Sequence, residues 1–367
     1  MNAFSAIDHL HMAQALRLAA RGGFTTRPNP QVGCVIAHGS EVVGVGWHQW
    51  AGGPHAEVFA LAEAAQRARA ATAYVSLEPC AHSGRTPPCT DALIAAGIAR
   101  VVVAQRDPFT QVDGRGIEAL CAAGIIVDSG LMEAAAREQI RGFLSRIERG
   151  RPWLRIKLAM SLDGRTALPS GESKWITSAA ARADVQRWRA RSDAILTGAG
   201  TLRGDNPALT ARVDEPVQPP LRIVVAGKTQ LPLDAQIFND VAAPTLVACG
   251  GGRHVTLPQH IERLSVPVGA EGVSLPALLH ALAMRDIGEV QVEAGPVLCG
   301  ALLRTGLVDE LLLYQAPLLL GDRGYPLFAG LDISSMADRF GFKLVEARVV
   351  GDDQRLLLRP HSAASFP

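Results

Sequence analysis

A chain of 367 residues exceeds what one hydrophobic core usually serves, so two domains are expected. Hydrophobic residues at 48% and charged residues at 19% read as a soluble globular protein, and a net charge of +1 offers no basic field to a polyanion, which argues against a nucleic-acid partner. Six cysteines in a chain this long do not read as a disulfide framework, so each is a small core hydrophobe or a chemical group.

The first residues, MNAFSAIDHLHMAQALRLAARGG, have no basic stretch followed by an apolar one, as a secretory leader would. The longest apolar runs, such as LLLYQAPLLL, are broken by proline and too short to span a bilayer. A cytoplasmic protein free of membranes is expected.

In chain order, DHLHMAQALRLAARG has helical apolar spacing, with Asp8 as its N-cap and Gly22–Gly23 as its stop. VGCVIAHGSEVVGVGWH reads as two strands turning at Gly39–Ser40, and HAEVFALAEAAQRARA as an alanine-rich helix. The strand ATAYVSLEP, the helix CTDALIAAGIA and the strand RVVVAQRDP follow; GRGIEALCAAG and IIVDSG repeat the step, and LMEAAAREQIRGFLSRIERG reads as one closing helix. That alternation predicts an α/β layer fold. Gly150 and Pro152 mark a boundary, giving domains 1–150 and 151–367. Beyond it, strands are expected at 153–160, 193–198, 221–226, 244–249, 289–293 and 308–316, and helices at 178–191, 275–286 and 296–306.

The loop LEPCAHSGRTPPC and the upstream GPHAEV hold the densest chemistry. His55, Cys80 and Cys89 supply one imidazole and two thiols, the donor set of a catalytic zinc ion with an open fourth position. Glu57 stays uncoordinated as the proton carrier. Both His55 and Cys89 stand where a helix begins, and the positive end of a helix favours the thiolate that zinc needs. His-x-Glu followed by Pro-Cys and a second cysteine is the signature of zinc deaminases, although eight residues separate these cysteines instead of the usual two. Cys34, Cys121, Cys249 and Cys299 sit in apolar patterns and are expected in the core.

RPNPQVGCVI, GPHAEV, LEPCAHSGRTPPC and DALIAAGI closely resemble the bifunctional deaminase/reductase family of riboflavin biosynthesis, in which the longer spacing between the cysteines is typical. The resemblance continues through KLAMSLDGRTA, SGESKWITS, DNPALT and VEAGPVLCGALLRTGLVDELLLYQAP and is poor from about 213 to 285. It implies a cytidine-deaminase-like three-layer α/β domain followed by a dihydrofolate-reductase-like α/β domain using NADPH. The implied first reaction is hydrolytic deamination of 2,5-diamino-6-(5-phosphoribosylamino)pyrimidin-4-one, with substrate contacts at Asn29, His82 and Arg85. A Pro-Asn-Pro segment holds the Asn29 amide rigidly against a pyrimidine edge, although the same segment is also an ordinary turn. Arg85 suits a phosphate.

The second half lacks the dinucleotide-binding glycine fingerprint: in TGAGTLRG the third glycine, Gly204, is one residue late. In VEAGPVLCGALL a strand ends at Glu293 and Pro296 suits a first helical position, which presents main-chain N–H groups to an anion. The resemblance implies NADPH contacts at Ala159, Trp175, Thr201 and Asp205, and along Gly295, Pro296, Val297, Leu298, Cys299, Gly300 and Ala301. It implies substrate contacts at Ser173, Arg189, Leu209, Arg212 and Glu293, with Arg189 and Arg212 suited to clamp the ribose phosphate. The implied reduction delivers hydride to C1′ of the ring-opened ribosylamino group. No acid is evident for the accompanying proton, and no arginine can be assigned to the cofactor's 2′-phosphate. The family often carries Asp-Ser or Asp-Thr where this chain has Ala226–Gly227.

The expected partners are a pyrimidine ribose phosphate and further copies of the chain, in a homo-oligomer of unspecified size. Two rival readings are weaker. A nucleoside or transfer-RNA deaminase with an unrelated second domain lacks the basic and aromatic stripe it would need, and a structural zinc module would normally show four protein ligands.

Overall fold

The computed structural model describes residues 4–81, 87–227, 230–251, 256–269 and 272–361. The chain divides into two compact units, Met1–Arg149 and Gly150–Pro367.

The first unit contains strands β1 (Gly33–His38), β2 (Glu41–Trp47), β3 (Thr72–Leu77), β4 (Arg100–Gln105) and β5 (Ile126–Ser129). Its helices are α1 (Ala6–Ala19), α2 (Ala56–Ala64), α3 (Cys89–Ala95), α4 (Arg115–Ala122), α5 (Glu133–Gln139) and α6 (Arg141–Arg149). The sheet order is β2-β1-β3-β4-β5, with β1 antiparallel to both neighbours and β3, β4 and β5 parallel. Alternation along the strands builds two cores. Cys34 and Ile36 of β1 pack with Ala56 and Ala60 of α2 and Leu93 of α3, whereas Val35 and Ala37 pack with Met12 of α1 and Ala136 of α5. Helices on both faces of one sheet make three layers. Gly44 and Gly46 let α2 lie hard on β2: a Cβ at either would stand 2.2 Å from a carbonyl oxygen of α2.

Ser5, not Asp8, caps α1. The Asp8 amide donates to the Ser5 hydroxyl at 3.1 Å, and the Asp8 carboxylate accepts from the Ser5 N–H at 2.9 Å. Asp8 also accepts from the Tyr74 hydroxyl and from Arg100, which ties α1 to the sheet. The closing helix is two helices. Ile140 leaves helical geometry between α5 and α6 and packs with Leu77 and Leu144. Cys34, Cys249 and Cys299 are buried as expected, but Cys121 is exposed on α4.

The second unit runs β6 (Trp153–Met160), β7 (Arg165–Ala167), α7 (Ala179–Arg191), β8 (Ala194–Gly198), α8 (Ala199–Asp205), β9 (Leu221–Ala226), α9 (Gln236–Asn239), β10 (Thr245–Gly250) and β11 (Glu262–Val266). It continues β12 (Val268–Gly269), β13 (Gly272–Val273), α10 (Leu275–Ala283), β14 (Glu289–Val292), α11 (Pro296–Arg304), β15 (Glu310–Gln315), β16 (Tyr325–Pro326), β17 (Phe342–Val350) and β18 (Asp353–Pro360). Nine strands form a sheet of order β11-β10-β9-β8-β14-β6-β15-β18-β17, parallel from β11 to β15 and closed by an antiparallel hairpin. Sequence reading leaves that hairpin out. A bulge at Val345 shifts the register between Leu344 and Glu346 and breaks the alternation that marks a strand. Leu154, Ile156 and Leu158 of β6 face the main core, and Arg155 and Lys157 alternate with them.

Candidate active sites

In the first unit α2 begins at His55, which is its extended N-cap, so Glu57 falls in the first helical turn. Cys80 follows the end of β3, and Cys89 opens α3. The three ligand atoms lie within 4.8 Å of one another, with His55 Nδ1 3.2 Å from Cys89 Sγ and 3.5 Å from Cys80 Sγ. Two ligands bound to one zinc ion at tetrahedral angles lie about 3.5 Å apart, so this donor set fits that ion. Glu57 is buried beside the cluster, and its Oε2 has no hydrogen-bond partner among the described residues. A buried carboxylate oxygen without a donor is expensive unless a ligand or water completes it.

The two thiols differ in acidity. Cys80 accepts a hydrogen bond from the Cys89 thiol and, against the cost of burial, also from His55, which holds it at about 4. Donation to Cys80 and burial push the Cys89 thiol up.

Asn29 approaches the same site through His48, a residue that sequence reading missed. His48 is buried, and burial lowers its pKa, so its ring is neutral. Its Nδ1 donates to the Pro54 carbonyl at 3.0 Å, and its Nε2 accepts from Asn29 Nδ2 at 3.1 Å. The Asn29 carbonyl oxygen is thereby turned away from His48. The His48 and His55 rings meet edge to face at 5.5 Å. His48 lies seven residues before His55, with no short motif to mark it. His82 and Arg85 lie outside the described residues.

The second unit holds a cavity of about 1430 Å³ at the carboxyl ends of its parallel strands. That is the usual place for a ligand in such a sheet. Glu293 follows Val292, which pairs with Ile156, and its carboxylate acts on the Lys157 ammonium. Burial lowers the pKa of Lys157, with Glu293 acting in the opposite sense. Burial would raise Glu293, but Arg189 outweighs it and holds the carboxyl at about 2. Lys157 lines the cavity and was absent from the sequence reading. Its signal was available: Arg155 and Lys157 are cations two apart in a strand that is otherwise apolar, at the centre of a sheet.

Arg189 donates to both oxygens of Glu293 and, through Nη1, to the Thr210 carbonyl at 3.1 Å. Arg189 and Arg212, the two arginines expected at the ribose phosphate, both hydrogen-bond Thr210, one at its carbonyl and the other at its hydroxyl. Arg189 is engaged with a carboxylate, and Arg212 is the exposed cation, 3.2 Å from the Thr210 hydroxyl. Ser173 donates to Asp205 at 3.2 Å. Trp175 stands largely exposed under the Arg182 guanidinium, 4.4 Å away. Ala159 lines the cavity, while Leu209 lines it from a side chain buried in the core.

The stretch 295–301 divides in two. Gly295, Pro296, Val297, Leu298 and Ala301 line the cavity. Cys299 and Gly300 turn into the core: the Cys299 thiol donates to the Ala294 carbonyl, and a Cβ on Gly300 would stand 2.0 Å from the Ala329 carbonyl oxygen. The first helical bond of α11 runs from Cys299 N–H to Gly295 O, so the N–H groups of Val297 and Leu298 precede the ladder, as an anion cradle requires. Thr201 accepts from the Gly295 amide at 3.1 Å. Among the described residues no helix is long and apolar enough to cross a membrane.

A His-Cys-Cys cluster against a buried carboxylate on a three-layer sheet, with a parallel sheet whose cavity ends at a helix start, defines a zinc deaminase joined to a nucleotide-cofactor reductase. Residues 5–105 match the cytidine and deoxycytidylate deaminase zinc-binding region, and residues 152–356 match the RibD C-terminal domain. The chain is 48% identical to riboflavin biosynthesis protein RibD of Escherichia coli, over 94% of this chain and 97% of that protein. Acinetobacter baumannii RibD superposes with a TM-score of 0.90 at 42% identity, covering 97% of this chain and 99% of the other. A Thermotoga maritima diaminohydroxyphosphoribosylaminopyrimidine deaminase/5-amino-6-(5-phosphoribosylamino)uracil reductase superposes with a TM-score of 0.87 at 32% identity, covering 96% and 99%. The chain belongs to the RibD family of riboflavin biosynthesis: it is a bifunctional deaminase and reductase that uses zinc and NADPH.

Proposed function

We propose that residues 1–150 deaminate 2,5-diamino-6-(5-phosphoribosylamino)pyrimidin-4-one and that residues 151–367 reduce the product to 5-amino-6-(5-phosphoribitylamino)uracil. One observation supports the deaminase assignment above the rest: His55, Cys80 and Cys89 converge while Glu57, beside them, keeps a buried oxygen without a donor among the described residues.

The three converging residues hold the zinc ion, which when bound lowers the pKa of a water to about 7 and so provides a nucleophile. Glu57 Oε2 takes the proton released in the attack, passes it to the ring nitrogen and then assists the departing ammonia. Asn29, oriented by His48, offers its amide oxygen to the pyrimidine edge, and His82 and Arg85 complete the contacts.

In the reductase site NADPH supplies the hydride. Lys157 supplies the balancing proton, Glu293 favours its ammonium, Arg189 fixes the Glu293 carboxylate, and Arg189 and Arg212 meet the substrate phosphate. Ser173 and Leu209 complete the substrate contacts. The cofactor lies along Ala159, Trp175, Thr201, Asp205 and the stretch Gly295–Ala301, with Cys299 and Gly300 serving through the backbone that α11 needs.

The exposed Leu344, Val345 and Val349 on the outermost strand β17 support a homo-oligomer, to be read by sedimentation velocity. Thiolate ligands suit the reducing cytoplasm. A coupled assay tests the whole reading: purified protein with zinc, the diaminopyrimidine phosphate and NADPH should release one ammonia per NADPH consumed. Ammonia without NADPH oxidation would remove the second half of the assignment.

A further inference from the structure

We infer that Arg203 reads the 2′-phosphate of the cofactor and so sets the preference of the reductase for NADPH over NADH. This rests on the cavity of the second unit being the cofactor site.

The sheet itself orders the ligand. From β6 outward the parallel strands run β6, β14, β8, β9, so their carboxyl ends lie along one edge. Neighbouring strands are about 4.8 Å apart, which places β9 roughly 14 Å from β6. Along that edge the cavity meets Lys157 and Ala159 on β6, then Glu293 and the start of α11 after β14, then Thr201 and Arg203 on α8 after β8, then Gly227 after β9. A dinucleotide with its reactive ring at Lys157 and its diphosphate at the start of α11 has one direction left. Its adenosine ribose must run out over the ends of β8 and β9.

Among the described residues, a Cβ built on Gly200, Gly204 or Gly227 would meet nothing within 4 Å. Gly227 brings no polar side chain of its own to this edge. Arg203 lines the cavity from α8, and its Nη1 donates to the Gln230 carbonyl at 3.1 Å. Thr201, two residues earlier, is tied to Gly295 at the diphosphate cradle, so Arg203 is held at a set distance from it.

Of the other cations lining the cavity, Lys157 stands at the reactive end and Arg212 lies beside Thr210 on the substrate side. Arg189 is paired with Glu293, Arg182 lies over Trp175, Lys174 donates to the Asp205 carbonyl, and Arg304 donates to the Gly330 carbonyl at the far end of α11. A guanidinium matches the two oxygens of a phosphate monoester. NADH has a hydroxyl in that place.

The test is calorimetric titration of the full-length protein with adenosine 2′,5′-bisphosphate and with 5′-AMP. Wild-type protein should bind the bisphosphate at least about 10-fold more tightly, the worth of one charge-assisted hydrogen bond. Arg203→Ala should weaken the bisphosphate by about 10- to 100-fold and leave 5′-AMP within twofold. In parallel, the KM for NADPH should rise while that for NADH does not, with ammonia release unchanged as a check on the rest of the chain. An unchanged ratio in Arg203→Ala would overturn the assignment, as would equal weakening of both nucleotides, which is what a role confined to the Gln230 tether predicts. Wild-type protein that binds neither nucleotide would instead overturn the cofactor reading of the cavity, and Arg203 with it.

Discussion

Glu293 receives the guanidinium of Arg189 through two hydrogen bonds, Nε to Oε1 at 2.7 Å and Nη2 to Oε2 at 2.8 Å, within reach of Lys157. Each side chain is only 12% exposed. Burial opposes the charge on Glu293, but Arg189 prevails and lowers its pKa from 4.5 to about 2. The folded state therefore binds the proton less readily than the unfolded one. This contribution is complete above pH 4.5 and is lost as the pH falls toward about 2. Glu293→Gln should flatten that acid limb in a denaturation series. It should also cost about 3–5 kcal/mol at neutral pH, because Arg189 is left buried without its carboxylate.

Lys157→Met should lower the reductase kcat by about 100- to 10,000-fold, the usual worth of a positioned acid, and leave ammonia release intact. In the wild-type enzyme the reductase rate should fall on the alkaline side at a pH below the ordinary lysine value of 10.5, since burial depresses this ammonium. A pH–rate profile identical in Lys157→Arg would assign the limb to another group.

Glu57→Gln should retain zinc while ammonia release falls by about 100-fold or more. Metal analysis and an ammonia assay on one preparation separate the two effects. Loss of the metal in this variant would make Glu57 a ligand or a support for one.

Cys89→Ala should abolish stoichiometric zinc, and chelation of the wild type should have the same effect on deamination. Both preparations should still oxidise NADPH when given the already deaminated substrate, because the reductase cavity lies wholly within the second unit. Zinc content and NADPH absorbance check the two halves independently.

Glu78, two residues before Cys80, accepts main-chain N–H groups from Asp107, Gly114, Gly116 and Ile117 at 2.9–3.2 Å. Glu78→Gln replaces one accepting oxygen with a donor, which should leave buried N–H groups unpaired and cost about 1–3 kcal/mol. Hydrogen exchange should accelerate over 107–117. Uniform exchange across the first unit would show that Glu78 holds no particular segment.

The deaminase chemistry was legible because much of it is local. His55 and Glu57 are two apart at the start of one helix, and turn residues bracket both cysteines. In the second unit the central strands announced themselves as apolar runs between turn residues, as parallel strands covered on both faces do. The C-terminal hairpin did not, because the extra residue at Val345 exchanges the faces midway. Arg189 was expected at the ribose phosphate, and nothing near it in sequence names its partner Glu293, 104 residues away.

The sequence by itself determined the alternation of helices and strands, the break near Gly150, and the kinds of donor available for a metal. Those are matters of period, backbone preference and side-chain chemistry, which a short window contains. Only the tertiary structure decided which groups share a site and in what state of charge. Cys80 and Cys89 meet His55 across 25 and 34 residues, and Lys157, Glu293 and Arg189 come from a strand, the residue after another strand, and a helix. Pairing and burial act through space, and strand register and helix packing set the distances over which they act.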